Sequence, residues 1–330
     1  MNKKIIKKIV AASGVEPGEL VLVHFWGEDG DKSIANDFLA EISVLGATPF
    51  LLQQARTINR EIFTSTTDGC FDERYFSIFD NFDAVLDVFA YQPIILGYEI
   101  EEKQFDLYRR YMAQLFSKLM KCKRFTQIRI PNAANADESG LEPDDYIHRM
   151  TDAYNIDYND LKGRCLLEQK RLSAAKCIIL RTGVDCELQF VLSGRKWNID
   201  AGDGDLPCGE VYIAPIEQDT NGRIYFEKLY IKDRGIFDGV ILQIENGHII
   251  GSNDEGVTAF LAMLKPEESV ICELGFGMNE NITSLCGYAV LDEKMADTFH
   301  IAIGANNMFG GKNAASIHLD FVGVGEIELV

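Results

Sequence analysis

Three successive segments decide the fold class of this chain: ELVLVHF (19–25), KSIANDFLAEISVL (32–45) and TPFLLQ (48–53). The two outer segments are short and apolar, which is typical of strands buried on both faces of a parallel sheet. In the middle segment apolar residues recur at helical spacing, and Gly46 follows as a stop signal. The stretch therefore predicts a strand–helix–strand unit.

The same alternation continues through the first half of the chain. Strands are predicted at 83–90 and 124–130, with helices at 102–121 and within 143–174. Strands and helices that alternate in this way are typical of a parallel sheet covered by helices on both faces. We therefore predict a Rossmann-like α/β domain over residues 1–170.

The second half changes character near residue 175. Predicted strands follow one another closely, and Asn246-Gly247 between two apolar runs is a hairpin signal. A helix is predicted at 253–265. The strands are predicted at 176–181, 186–192, 210–214, 222–231, 238–244, 269–274, 298–303, 315–322 and 325–329. The second domain, residues 171–330, is therefore expected to be α+β and rich in antiparallel strands.

Composition excludes several classes of protein. The 330 residues are 47% hydrophobic and 25% charged with only 8 prolines, which is typical of a globular protein and not of a disordered or collagen-like one. The net charge of −19 repels phosphate backbones and acidic headgroups, so no nucleic-acid or membrane partner is expected. Eight cysteines without a CxxC motif, and no apolar run of about 18 residues, indicate a cytoplasmic protein.

The turn after the first strand carries no phosphate-binding motif. It reads HFWGEDGDKS (24–33), which matches neither GxGxxG nor GxxxxGK[ST]. Its acidic residues would also repel a pyrophosphate. No nucleotide cofactor is therefore expected, and His24 in the buried strand is expected to be a satisfied core or cleft histidine.

Five side chains in the second half could bind metal ions. His318 and Asp320 are two residues apart on a predicted strand, so their side chains leave the same face. His300 lies on another predicted strand. Glu210 and Glu273 interrupt apolar strands, where a buried carboxylate needs a cation or hydrogen bonds. Imidazoles and carboxylates bind Zn and related ions, and two ions that share a water hydrolyse amide or phosphate bonds.

The same residues also have structural explanations. A histidine on a strand is often merely half-buried, and an acidic residue on a strand often lies at a sheet edge. Cys272, next to Glu273, is expected to point to the opposite face and to belong to the core.

Four segments of the second half resemble the signature segments of the thermophilic-type metallo-aminopeptidases (aminopeptidase T, aminopeptidase S and relatives). They are GEVYIAPIEQDTNGRIYF (209–226), ICELGFGMN (271–279), LDEKMADTFHIAIG (291–304) and GGKNAASIHLDF (310–321). With RTGVDCELQFVLSGRKW (181–197), the resemblance covers roughly residues 170–322. The first half agrees with the family in kind and not in specific residues.

The resemblance implies a metal-bearing catalytic domain with a defined set of ligands. They are Glu210, Glu273, His300, His318 and Asp320, and they would bind two divalent ions, Zn, Co or Mn. The implied activity is removal of N-terminal residues from peptides, or cleavage of a small amide, by a metal-activated water. Glu273 or Glu210 would shuttle the proton, and the family implies a homodimer.

Two further positions follow from the resemblance less directly, and a third position, Lys312, is not assigned by it. Glu293 corresponds to an acidic residue before the family's first histidine, at a spacing that differs by about two residues. Asn307 stands where the family has a tyrosine implicated in catalysis, and an amide can hydrogen-bond an oxyanion but cannot transfer a proton. Lys312 either binds a substrate carboxylate or is solvated.

Two alternatives remain at this stage. The dihydroxypyridine ring-cleaving dioxygenases of the same superfamily are similarly short and share a GGK…HLD-like stretch, but they hold one Fe(II) with two histidines and one aspartate. In them a histidine matches Glu273, and apolar residues match Glu210 and His300, so the ligands of this chain favour the two-metal hydrolase. A binding protein with a vestigial site is the other alternative.

Overall fold

The computed structural model of the protein describes residues 1–91, 93 and 100–330. Over this part the chain divides into two compact units, each made of two segments. The first unit comprises Met1–Asn155 and Gly202–Pro207, and the second comprises Ile156–Ala201 and Cys208–Val330. A domain boundary near residue 170 remains the prediction from the sequence.

The first unit contains a parallel five-stranded sheet, as predicted, in the order β2-β1-β3-β4-β8. Its strands are β1 (Leu20–Trp26), β2 (Thr48–Gln54), β3 (Ala84–Phe89), β4 (Arg124–Arg129) and β8 (Asp205–Leu206). Its helices are α1 (Lys3–Ala12), α2 (Lys32–Val44), α3 (Arg56–Ser65), α4 (Glu73–Ser77), α5 (Glu102–Leu119), α6 (Ala133–Ser139) and α7 (Pro143–Tyr154). The central strands β1 and β3 are buried almost throughout, which accounts for their mostly apolar sequences.

A polar pair lies inside this sheet. His24 of β1 and Asp87 of β3 are both fully buried, and Nδ1 of the histidine lies 2.9 Å from Oδ1 of the aspartate. The indole N–H of Trp26 donates to the same oxygen at 3.2 Å. These contacts offset the cost of burying the carboxylate. His24 is thus a core histidine with a partner, as the sequence predicts.

The carboxylate of Glu28 accepts hydrogen bonds at the N-terminal end of helix α3. Its Oε1 accepts hydrogen bonds from the backbone N–H of Arg56 at 2.9 Å and from the Tyr91 hydroxyl at 3.0 Å. The Thr57 hydroxyl donates to the other oxygen. A helix N-terminus attracts anions, and here the side chain of the β1–α2 turn supplies the negative charge.

The second unit contains two antiparallel sheets, in agreement with the predicted α+β class. The six-stranded sheet has the order β12-β11-β10-β6-β5-β16, and the five-stranded sheet has the order β15-β14-β13-β9-β7. The helices are α8 (Tyr158–Leu172), α9 (Glu255–Leu261) and α10 (Ala289–Asp292). The strands are β5 (Cys177–Thr182), β6 (Cys186–Val191), β7 (Asn198–Asp200), β9 (Glu210–Ile213), β10 (Thr220–Ile231), β11 (Gly235–Glu245), β12 (His248–Ser252), β13 (Ile271–Gly277), β14 (Phe299–Gly304), β15 (His318–Gly323) and β16 (Glu326–Leu329).

Aromatic side chains join the two sheets of this unit. Phe226 of β10 contacts Phe299 of β14 and Phe321 of β15, with ring centroids 5.8 and 6.4 Å apart. All three rings are buried, so they form part of the core between the sheets.

One strand is shorter than predicted: β15 begins at His318, and residues 315–317 belong to the preceding loop. That loop is held by Asn306, whose backbone N–H donates to the Asn313 carbonyl at 3.0 Å.

The Asn246-Gly247 turn joins β11 to β12, as the sequence predicts. Both residues have positive φ, +50° and +78°. At Gly247 a Cβ atom would lie 1.4 Å from the carbonyl oxygen of Glu217, so only glycine fits. The turn therefore packs closely against Glu217, in the segment that connects β9 to β10.

We expect Gly247→Ala to lower the free energy of unfolding by about 2 kcal/mol or more. The alanine would have to adopt a left-handed backbone conformation, and its Cβ would overlap the carbonyl oxygen of Glu217. Gly251→Ala in the same hairpin is the matched control, since nothing lies within 4 Å of its Cβ position. Urea denaturation of both variants measures the difference. Equal stability of the two variants would contradict the close packing of this turn.

Candidate metal centre

The candidate ligands lie on four adjacent strands of the five-stranded sheet. Glu210 begins β9, Glu273 lies in β13, His300 lies in β14, and His318 and Asp320 lie in β15. Antiparallel pairing brings residues that are up to 110 positions apart in sequence to one region of one sheet. The sheet therefore assembles a site whose members the sequence scatters.

A small residue stands opposite each ligand on a neighbouring strand. The register pairs Glu210 with Gly277, His300 with Gly275, Glu273 and Asp320 with Ala302, and His318 with Gly304. A Cβ atom at Gly275 would lie 2.1 Å from Nε2 of His300. Because cross-strand partners share a face of the sheet, these small residues leave the space that the ligand side chains fill.

Three buried donors form the first group. Nε2 of His300 lies 3.4 Å from Oε2 of Glu210 and 3.3 Å from Oε1 of Glu273. One donor atom from each residue lies within 4.8 Å of the other two. All three side chains are less than 10% exposed, so this group is closed to bulk solvent.

A second group shares Glu273 with the first. Nε2 of His318 lies 3.4 Å from the other carboxylate oxygen of Glu273, Oε2, and 3.5 Å from Oδ1 of Asp320. The His318 side chain is 35% exposed, so this group opens toward solvent. Glu273 thus directs one oxygen to each group.

The spacing of these donors fits a divalent ion. Four ligands in tetrahedral arrangement at Zn–N and Zn–O distances of about 2.0–2.2 Å lie about 3.3–3.6 Å from one another. The four histidine–carboxylate separations of 3.3–3.5 Å agree with that range. Imidazole and carboxylate are also the donor types that Zn, Co and Mn accept.

Without an ion, protons provide the positive charge at the site. Burial opposes the charged imidazole of His300, but the carboxylates of Glu273 and Glu210 outweigh it and raise its pKa to about 9. The pKa of His318 is also raised, by Asp320 and Cys272 against the effect of burial. Burial raises the pKa of Glu273, whereas for Asp320 the hydrogen bond with His318 overcomes burial and lowers the pKa to about 2.

The two imidazoles differ in their outer contacts. Nδ1 of His318 lies 2.9 Å from the carbonyl oxygen of Ala305, which fixes a proton on Nδ1 and leaves Nε2 facing the carboxylates. Nδ1 of His300 is buried and has no hydrogen-bond partner among the residues that the structure describes.

The expected orientation of Cys272 is wrong in one respect. The cysteine is buried in the core, as predicted, but its Sγ lies 3.7 Å from Nδ1 of His318. The pairing of β13 with β14 shifts register between Ile271 and Glu273. A β-bulge breaks the strict alternation of side chains, and alternation was the basis of the prediction.

Lys294 is the site residue that the sequence analysis missed. Its Nζ lies 2.6 Å from Oε1 of Glu210 and 2.8 Å from Oε1 of Glu293, and its side chain is only 4% exposed. Its carbonyl oxygen accepts hydrogen bonds from the backbone N–H groups of Met278 and Asn279, which fixes the segment after α10. A lysine beside a glutamate ordinarily indicates a solvated surface, so only the fold reveals this position.

The same contacts bring Glu293 into the site. Burial raises the pKa of its carboxyl group to about 8 in spite of the neighbouring ammonium. For Lys294 burial acts in the opposite direction, yet Glu210 and Glu293 hold the pKa of the ammonium well above its usual value. The two carboxylates therefore stabilise the ammonium of Lys294 at the edge of the cluster.

Asn307 and Lys312 lie on the loop between β14 and β15. Asn307 is exposed, and within the described part of the chain it makes no hydrogen bond to a candidate ligand. The backbone N–H of Lys312 donates to Oε1 of Glu217 at 2.6 Å, and its side chain is exposed. The ring of Phe309 on the same loop lies 5.9 Å from the His318 ring. The predicted roles of Asn307 and Lys312 remain predictions.

Residues 55–326 match the thermophilic metalloprotease family (M29). The chain belongs to this family. The predicted resemblance is thereby confirmed, together with the assignment as a metallo-aminopeptidase-like hydrolase. No curated protein matches this chain in sequence.

Two solved structures share the fold over nearly the whole chain. Wild-type AmpT from Thermus thermophilus has a TM-score of 0.68 and 16% identity, over 98% of this chain and 94% of that one. The 2,5-dihydroxypyridine dioxygenase from Pseudomonas putida KT2440 has a TM-score of 0.66 and 14% identity, over 99% and 93%. At such identities the likeness shows the fold alone.

Because Gly275 makes room for His300, we expect Gly275→Ala to weaken binding of added Zn²⁺ by about tenfold or more. The new Cβ would displace the imidazole from the two carboxylates. Calorimetric titration of the folded protein with Zn²⁺ measures the effect, and Gly251→Ala serves as the control with open space at its Cβ. Unchanged Zn²⁺ affinity in a folded Gly275→Ala variant would disprove the assigned role of this glycine.

The protonated site also predicts a pH dependence for the ion-free protein. The folded-state pKa of His300 is about 9, above its ordinary 6.5. The charged imidazole therefore adds to the free energy of unfolding below about pH 6.5, and this stabilisation is lost as the pH rises through 9. Glu293, with a pKa of about 8 instead of 4.5, acts in the same direction.

We therefore expect the free energy of unfolding, measured with urea in the presence of a chelator, to fall between pH 6.5 and 9 by about 3 kcal/mol or more. His300→Gln should reduce this dependence without abolishing it, because the variant lacks the titrating imidazole and keeps Glu293. A rise in stability over the same interval would show that the carboxylates do not hold the proton on His300.

Proposed function

We propose that the protein is a two-metal hydrolase of aminopeptidase type. The observation that carries this proposal is the pair of donor groups that share Glu273, one with Glu210 and His300 and the other with His318 and Asp320. Membership in the metalloprotease family supports a metal-dependent reaction on peptide bonds. The number of ions and their identity, Zn, Co or Mn, are part of the proposal.

Each group of three donors would hold one divalent ion and leave a position for another ligand. When bound, such ions lower the pKa of a shared water and polarise the scissile carbonyl. The chain supplies the fixed positions: small residues of the sheet set the distances, and the contact between His318 and Ala305 sets the orientation of one imidazole. The solvent-open side at His318 is where a substrate would enter.

The proton shuttle must be a carboxylate with a free oxygen near the reacting atoms. Glu273 and Glu210 are the predicted shuttles, but both oxygens of Glu273 face histidines of the two donor groups. Glu293 lies beside the cluster, where its Oε1 contacts Lys294 and belongs to neither donor group. We therefore add Glu293 as a third candidate. Asn307 stays a proposed oxyanion contact, and the resemblance to the family supports this proposal.

We propose short peptides or small amides as substrates, a homodimer as the assembly and the cytoplasm as the location. These proposals rest on the resemblance and on the composition. Among the described residues, no helix combines the length and apolar character that crossing a membrane requires.

The first test is elemental analysis of protein purified without chelator, combined with assays of amino-acid amides and dipeptides. We expect close to two Zn, Co or Mn per chain and hydrolysis of at least one of these substrates. One iron per chain with oxygen uptake on an aromatic acid would favour the dioxygenase alternative. No metal, even after ions are added back, would favour a vestigial binding site.

Glu273→Gln should lower both metal content and hydrolysis, the latter by about a hundredfold or more, because one substitution affects both donor groups. Glu227→Gln is the matched control, since Glu227 is an exposed glutamate on strand β10 of the same unit. Activity, ions per chain and thermal melting are measured on both variants. A folded Glu273→Gln variant with wild-type hydrolysis would rule out the proposed centre.

A further inference from the structure

Lys294 divides the two oxygens of Glu210 between different partners. Its Nζ is 2.6 Å from Oε1 of Glu210, while Oε2 of the same carboxylate is 3.4 Å from Nε2 of His300. The second contact of the ammonium is Oε1 of Glu293, at 2.8 Å. One oxygen of Glu210 therefore faces the donor group, and the other faces a buried cation.

Burial of this ammonium is costly, and stability alone gives a poor reason for it. Moving a charged group out of water costs several kcal/mol, and a buried ion pair often stabilises a protein no more than apolar side chains of the same size would. The lysine lies on a segment whose backbone is fixed by Met278 and Asn279, and its charge is directed at a candidate ligand. Such an arrangement points to an effect on the metal centre.

We propose that Lys294 is a positioning residue that restricts Glu210 to a single metal-facing oxygen and thereby keeps a coordination position open for substrate. This inference rests on the proposed metal-binding function. Catalytic zinc sites retain an open position beside three protein ligands, whereas closed sites are structural. A carboxylate that can bind through one or two oxygens would fill that position unless its second oxygen were held elsewhere.

Removal of Lys294 has two effects that act in the same direction on metal affinity. The second oxygen of Glu210 becomes free to bind the ion, and a positive charge that repels the ion disappears. The variant should therefore bind divalent ions more tightly while it catalyses less well. A residue that merely stabilised the fold would lose both properties together on substitution.

The experiment compares the wild type with Lys294→Met, an uncharged side chain of similar length. We expect Co²⁺ to be retained against a chelator about tenfold longer or more, and kcat for the best amide substrate to fall about tenfold or more. The visible absorption of the Co²⁺ protein should weaken, because the intensity of its d–d bands falls as the coordination number rises.

The chain offers a matched control in the first unit. Lys118 also lies between two carboxylates, with Nζ 2.7 Å from Asp80 and 3.3 Å from Glu73, and its side chain is largely shielded at 20% exposure. Lys118→Met should leave Co²⁺ retention, Co²⁺ absorption and kcat unchanged.

Two outcomes would overturn the inference. In the first, the Lys294→Met variant binds Co²⁺ no more tightly than the wild type does. In the second, the variant binds Co²⁺ more tightly, but its Co²⁺ spectrum is unchanged. A wild-type protein that binds no ion would instead refute the proposed function itself. If the variant does not fold, a crystal structure of the Zn²⁺-loaded wild type decides. Binding of Glu210 through one oxygen, with Lys294 still on the other, supports the inference, and binding through both oxygens refutes it.

Discussion

Burial of several carboxylates within one sheet is the constraint on which the second unit depends. Glu210 and Glu273 are less than 10% exposed, and an unpaired carboxylate at such a position would be destabilising. Positive charge must therefore be present, whether as protons on His300, as the ammonium of Lys294 or as divalent ions. The small residues opposite each ligand leave space for the charged side chains that meet there. The partly exposed side chain of His318 leaves one side of the site open to solvent, from which a cation can reach it.

The fold itself is compatible with more than one chemistry. The chain resembles AmpT and a 2,5-dihydroxypyridine dioxygenase almost equally in backbone, with TM-scores of 0.68 and 0.66. Function must therefore be argued from side chains at the site. Glutamates at positions 210 and 273 give two donor groups with a shared carboxylate. The alternative site considered from the sequence, one ion held by two histidines and one aspartate, would need neither glutamate. Family membership over residues 55–326 agrees with the hydrolytic assignment.

Much of the architecture could be predicted from local patterns. Apolar runs such as residues 19–25 and the Asn246-Gly247 turn predicted buried strands and a hairpin, because side-chain periodicity and backbone preference are local properties. Strand ends were less predictable: β15 begins at His318 because a loop anchored on Asn306 holds the preceding residues, and that contact spans distant segments. Cys272 shows the same limit, since a bulge is decided by strand pairing.

The sequence by itself determined which residue types were available for the candidate site and, through the family resemblance, predicted the five positions that form it. It also determined the strong negative charge and the two kinds of sheet. Only the tertiary structure decided that Glu273 faces both histidines, that Lys294 contacts one oxygen of Glu210, and that glycines or an alanine stand opposite the ligands. These facts depend on the register between strands far apart in the chain. Register is set by the packing of the whole sheet, and no local pattern encodes it.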